Sequence, residues 1–170
     1  MTVERLREYL DRLSPLLTQR ELLEGRLERL HDRATSPRRA QLTGMPSARS
    51  TTDQTGGLAV SITDTERKLA ALSAEIDRIQ DETAAVLDLM PPAKKRNHYL
   101  QEGALWGRYI EAMSTRDLAK SLYGKKKDFD SRQETYIRQA SRQVLEGLKR
   151  LAPLVPDEMI DNIDQNGRKQ

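Results

Sequence analysis

Cysteine is absent from the 170 residues, which removes disulfides, thiolate zinc sites and a cysteine nucleophile. This is compatible with a reducing cytosol. Histidine occurs only as His31 and His98, in different segments, so a histidine-rich metal site is not expected. Aromatic residues make up 4% of the chain, with Phe129 the sole phenylalanine and Trp106 the sole tryptophan. With 36% hydrophobic and 32% charged residues, large apolar side chains are too few for one thick globular core. Long, thin helices that each bury one stripe suit this composition better. Long β-type alternation is absent. No apolar run approaches the roughly 18–20 residues that span a bilayer, so no membrane partner is expected. The charged, amphipathic start MTVERLREYL is not expected to be a secretory signal.

Catalytic constellations are missing too. Asp77, Asp81 and Glu82 lie close on one helical pattern, where the outer face of a coiled coil explains them better than acid–base or metal chemistry. Gly124-Lys125 resembles the end of a phosphate loop, but the earlier glycine and the Ser/Thr after Lys are lacking. Ser114 and Ser131 have no nearby histidine to activate them. The chain is therefore read as a non-enzyme, with no cofactor.

What is present is an uneven charge distribution. The net charge is only +3, yet residues 91–155 hold 14 Lys/Arg against 7 Asp/Glu, a local +7. Residues 58–90 carry −4, the stretch 33–57 carries +3, and the end from 156 carries −2. A basic block beside a neutral or acidic scaffold is an electrostatic footprint of nucleic-acid binding.

Taken in order, residues 2–32 predict an interrupted helix. Val3, Leu6, Leu10, Leu13 and Leu17 step by three or four, and Leu16, Leu23, Leu27 and Leu30 continue on a shifted stripe. The shift falls beside Ser14-Pro15, where Ser can cap and Pro can occupy a first turn. Acidic and basic residues balance between Glu4 and Arg29, as on a solvated coiled-coil flank. Residues 33–57 lose all period and read as a basic connector. Residues 58–90 predict a rod of roughly 45 Å. There Ile62, Leu69, Leu72, Ile76, Ile79, Val86 and Met90 follow a 3–4 repeat, with Thr65 and Thr83 completing its register. The two long helices are expected to form an antiparallel hairpin spanning 1–90, or part of a dimeric bundle, through which the chain self-associates. Pro91-Pro92 ends the rod and marks a domain boundary. Residues 153–170 are expected to form an acidic tail.

The second domain, 91–152, is read as a helix-turn-helix on three patterns between about Gly103 and Leu151, which makes the whole chain all-α. The first carries Trp106, Tyr109, Ile110 and Met113. The second opens on a capping box, Ser114 with Asp117, buries Leu118, Ala119 and Leu122, and stops at Gly124, which suits a left-handed turn. The third places Ile137, Ala140, Val144, Leu148 and Leu151 at helical spacing, capped by Asp130 or Ser131. With Ile137 taken as its buried centre, Arg132, Thr135, Gln139 and Arg142 fall on the far side. Arg can pair with guanine, Gln with adenine, and Thr can touch a thymine methyl. These four are the expected base-contacting residues. Ser114, Thr115, Arg116, Lys125, Lys126, Lys127, Arg138 and Gln143 are expected at the DNA backbone, with Tyr136 flanking them. Three adjacent lysines are expected to be solvated or bound to an anion, and phosphate is the natural one.

LWGRYIEAMSTRDLAKSLYG, followed by a Tyr-containing helix and VLEGLKRL, resembles the sigma-factor region-four type of helix-turn-helix. Over most of residues 1–151 the chain resembles small phage or prophage late transcriptional regulators of the RinA/ArpU type. The matching pieces are Leu42-Thr43-Gly44-Met45-Pro46 with Asp53, Arg108-Tyr109-Ile110, Asp117-Leu118-Ala119, and the closing Leu145 and Leu148. The departure is the long connection between Leu122 and Tyr136. The resemblance implies a helical hairpin ahead of the helix-turn-helix, transcriptional activation of phage genes, and a place in the bacterial host cytoplasm. The expected partners are double-stranded DNA, further copies of the chain and, in that setting, RNA polymerase. The alternatives are a small-terminase-like DNA-packaging subunit, and a coiled-coil adaptor that binds no DNA.

Overall fold

The computed structural model describes residues 1–35 and 54–160, and every regular element among them is helical. The chain divides into two compact units, Met1–Pro15 with Asp77–Gln170, and Leu16–Ile76. The helices are α1 (Val3–Leu10), α2 (Leu13–Thr35), α3 (Gln54–Leu87), α4 (Arg96–Tyr109), α5 (Thr115–Tyr123) and α6 (Gln133–Leu151). Short 3-10 turns at Asp130–Arg132 and Ala152–Leu154 flank α6. The first unit thus takes in the first 15 residues as well as the basic segment expected to stand alone. The Leu42–Pro46 pieces of the resemblance, Asp53 and most of the connector lie outside the described residues.

In Leu16–Ile76 the helices carry narrow stripes. On α2 the less exposed positions include Leu16, Arg20, Leu23, Leu27 and Leu30, steps of four and three. On α3 they include Ile62, Thr65, Leu69, Leu72 and Ile76, the register expected from the sequence. Thr65 keeps its place by donating its hydroxyl to the Ser61 carbonyl, 2.7 Å away in the preceding turn. A polar residue on a buried stripe is tolerated when its hydroxyl is satisfied within its own helix.

The first unit holds the two large hydrophobic clusters. Thr2 caps α1 by accepting from the Arg5 amide, and Leu6, Tyr9 and Leu10 are buried on one side. The predicted break beside Ser14-Pro15 falls earlier, at Asp11-Arg12. Pro15 occupies the first turn of α2, where a missing N–H costs nothing. Arg12 holds the corner. Its guanidinium lies 3.8 Å over the Tyr9 ring, its Nε donates to the Tyr9 carbonyl, and it pairs with Glu82 on α3 at 3.2 Å. Leu6, Tyr9 and Leu10 join Val86, Leu87, Leu105, Tyr109, Leu148 and Leu151 in one cluster. Burial, helped by the charge of Asp11, pushes the Tyr109 hydroxyl up to about 12. Val155 and Ile160 belong to the same cluster, and Asp157 pairs with Arg5 at 3.7 Å. The start of the expected acidic tail is therefore packed against the core.

α4, α5 and α6 pack pairwise. A second cluster, Ala104, Leu118, Ala119, Tyr123, Phe129, Tyr136 and Ala140, fills the space among them. α4 starts at Arg96, earlier than the Gly103 expected from the sequence. Between α4 and α5 the chain turns through Ala112, the one non-glycine at positive φ among the described residues (φ 50°). A Cβ there costs about 1 kcal/mol. Ala112→Gly should accordingly stabilise the protein by roughly 0.5–1 kcal/mol, less than the full strain because glycine also loosens the unfolded chain. A later urea midpoint is the expected reading, and an earlier one would contradict it.

Candidate nucleic-acid interface

α5 is built as the sequence suggests at its start. Ser114 accepts the Asp117 amide at 3.2 Å and donates its hydroxyl to the Asp117 carboxylate at 2.6 Å. That hydroxyl is therefore engaged in the cap rather than free for phosphate. Thr115 is half-buried, while Arg116 and Lys120, one turn apart, are exposed. Gly124 ends the helix differently from expectation. It is right-handed (φ −59°), and glycine is needed because a Cβ would collide with the Lys120 carbonyl oxygen.

The connection from 124 to 132 is organised by aromatic rings. Tyr136 stacks with Tyr123 and with Phe129, with centroids 5.3 and 5.6 Å away. Lys126 does not fit the anion-only expectation. Its ammonium lies 5.2 Å from the Tyr123 centroid and 4.8 Å from that of Tyr136, within cation–π range. Lys125 and Lys127 are exposed without such partners. Tyr136, expected on the flank near DNA, is instead buried. Its hydroxyl donates to Asp128 at 2.8 Å. Two ring faces and a carboxylate recruit it inward, which helical spacing alone did not reveal. The length of the connection is thus the chain needed to carry Phe129, Asp128 and Lys126 around Tyr136.

That hydrogen bond holds the Asp128 carboxyl below its ordinary range, with Arg132 at 3.8 Å and Lys126 assisting. It pushes the Tyr136 hydroxyl up. A carboxyl whose folded value is lowered stabilises fully above its unfolded value, and that contribution is lost as pH falls through the folded one. Near-ultraviolet circular dichroism from the tyrosine stack should therefore fade on acidification below the ordinary carboxylate range. Asp128→Asn should remove that acid step; an unchanged step would assign it elsewhere.

Arg132 lies in the 3-10 turn rather than on α6, and it ends that turn at the helix N-cap position without a side-chain cap. Asp130 and Ser131 do not cap α6; the Ser131 hydroxyl donates back to the Asp128 carbonyl. The buried residues of α6 are Tyr136, Ala140, Gly147, Leu148 and Leu151, with Ile137 and Val144 only partly covered. At about 100° per residue, this turns the buried centre roughly 50° away from Ile137, toward Tyr136 and Ala140. The outward centre turns with it. Arg138 and Arg142 now lead the exposed face, with Thr135 beside them. Neither arginine makes an ion pair among the described residues, whereas Lys149 on the same face pairs with Glu146 at 3.2 Å.

Gln139 stays exposed but moves to the rim of a polar hollow of about 440 Å³ shared with Arg142, Gln143, Glu146 and, from α4, Asn97 and Gln101. Asn97 and Gln101 were not anticipated, because the first helix was expected to begin after them. Gln143, expected at the DNA backbone, is half-buried; burial pushes the Tyr123 hydroxyl up, and Gln143 partly offsets that push. Among the predicted base-contacting residues, Thr135 and Arg142 share the outward face. Gln139 lies at its edge, and Arg132 precedes the helix. Among the predicted backbone-contacting residues, Arg116, Lys125, Lys127 and Arg138 are exposed without ion pairs among the described residues.

No family model, curated protein or solved structure matches the chain. No helix among the described residues is long and apolar enough to cross a membrane, and no group of three or more His, Cys, Asp or Glu among them is placed to hold a metal ion.

Proposed function

We propose that the protein is a sequence-specific, DNA-binding transcriptional regulator of phage or prophage type, with α5 and α6 acting as the helix-turn-helix. The observation that carries this reading is the outward face of α6. Arg138 and Arg142 stand there unpaired, beside Thr135 and Gln139, on a helix fixed from behind by Tyr136, Ala140 and Gly147. A rigid helix with a cationic, hydrogen-bonding face is what insertion into a major groove requires. Arg116, Lys120, Lys125 and Lys127 supply phosphate contacts on α5 and the connection. Self-association through the long helices completes the reading. It is supported by Leu16, Leu23 and Leu27, which remain half-exposed in a regular stripe, and by the exposed Leu22. Paired subunits would present two α6 helices to two half-sites.

Genome-wide mapping of binding sites in the host cell tests this. A promoter-proximal peak supports a regulator, a peak at a packaging site moves the protein to DNA packaging, and the absence of peaks leaves the adaptor reading. With a selected duplex in hand, the lysines divide by their surroundings. Replacing Lys125 and Lys127 with Gln should flatten the log–log salt dependence of affinity by about 2. Lys126→Gln should instead lower thermal stability, because it uncovers the two tyrosine rings. Equal salt effects from all three lysines would contradict that division.

A further inference from the structure

On the first unit, α4 and α5 form a trough of about 420 Å³ that the DNA-binding reading does not use. Tyr99 and Trp106 stand seven residues apart on α4, so both project to the same side of the helix, two turns apart. They are 64% and 39% exposed, and they are among the most exposed large hydrophobic residues described. Between them Gly103 strips the helix surface, so the floor is backbone with Leu122 of α5 alongside; a Cβ on Gly103 would meet only the tip of that leucine, at 3.5 Å. The lining also holds two carboxylates, Glu102 and Glu111. Both are exposed and neither makes an ion pair among the described residues. Residues 91–155 carry 14 basic side chains, yet none lines this trough.

We infer that this trough is a docking surface for a basic, amphipathic segment of another protein, with an arginine or lysine side chain entering between Tyr99 and Trp106. Charge complementarity selects the occupant. Two unpaired carboxylates, with no basic side chain in the lining beside them, repel phosphate and favour a cation. Two aromatic faces add cation–π attraction and apolar contact for the side chain's stem. Trp and Tyr are the side chains that most often anchor protein interfaces. The volume exceeds one side chain, so neighbouring apolar residues of the segment cover Gly103 and Leu122. A second copy of the chain or a nucleic acid would meet the same surface with different consequences, and the test separates them.

Trp106 is the only tryptophan, so its emission reports from the trough itself. The full chain is titrated with a model amphipathic helical peptide of leucines and arginines, and with the same peptide carrying glutamate for arginine. A saturable Trp106 response to the arginine peptide alone is expected, weakening with salt. It should weaken at least tenfold in the Glu102→Gln/Glu111→Gln variant and in Tyr99→Ser, with the helical circular dichroism of both variants unchanged. No saturable response, an equal response to both peptides, or an undiminished response in the charge variant would overturn the assignment. So would a concentration-dependent dimer that Tyr99→Ser abolishes, or a Trp106 response to duplex DNA that the arginine peptide does not reproduce. Loss of DNA binding elsewhere on the protein leaves the peptide result untouched.

Discussion

Replacing Arg138 with alanine should weaken binding to a selected duplex by about 1–3 kcal/mol, roughly 5–150-fold, and Arg142→Ala should do the same. Gln139→Ala should cost less than either. The ordering follows from the register of α6. A helix centred on Ile137 would aim Gln139 straight outward and leave Arg138 on the flank. A helix centred nearer Ala140 aims the two arginines outward and leaves Gln139 over the hollow lined by Asn97 and Gln101. Arginine in a groove pairs with guanine through two parallel hydrogen bonds, so losing it changes base preference as well as affinity. An arginine that met only phosphate would weaken binding to all sequences alike. Competition with mutated duplexes therefore distinguishes the two roles for each residue. If Gln139→Ala cost more than Arg138→Ala, the outward face would be the one opposite Ile137, and the packing of Tyr136 would not govern how the helix meets DNA.

The parts of the fold legible in the sequence are those governed by period alone. The stripe from Ile62 to Val86 repeats every three or four residues over the length of α3, and its buried positions, two threonines included, fall where the repeat places them. The capping box at Ser114 was equally visible, because it needs only two residues three apart. The register of α6 was not. Tyr136 has a polar tip, so spacing and polarity leave its direction open, and its burial depends on Phe129, Tyr123 and Asp128, which lie upstream in a non-periodic stretch. Gly147 was hidden for a related reason. Glycine carries no apolar signal, yet at this position it faces the core. The break between α1 and α2 was drawn to Ser14-Pro15 by their turn chemistry. It falls at Asp11-Arg12, where Arg12 gains a ring face, a backbone carbonyl and a carboxylate together.

Leu105→Ala should produce the largest loss of stability of any substitution considered, about 2–5 kcal/mol, against a total of roughly 5–15 kcal/mol for a domain of ordinary stability. Leu105 is 1% exposed and joins α1, α3, α4 and α6 in one cluster. Its partner in the close approach of α4 to α6 is Gly147. A Cβ at that position would come within 3.0 Å of Leu105 Cγ, 3.1 Å of its Cδ1 and 3.3 Å of the Gln101 carbonyl oxygen. Two effects compete in Gly147→Ala. Alanine gains about 1 kcal/mol of helix propensity, while overpacking costs about 1–3 kcal/mol. The overpacking should win, because the atoms in the way are a branch carbon locked in the core and a backbone oxygen, neither of which can swing aside. Making both changes together decides the matter. With Leu105 shortened, the new methyl of residue 147 enters the space it left, so the double variant should lose less than the sum of the singles. A coupling of about 1 kcal/mol or more in that direction is expected from urea unfolding of the four proteins. Strict additivity would mean that α4 and α6 do not meet through this pair.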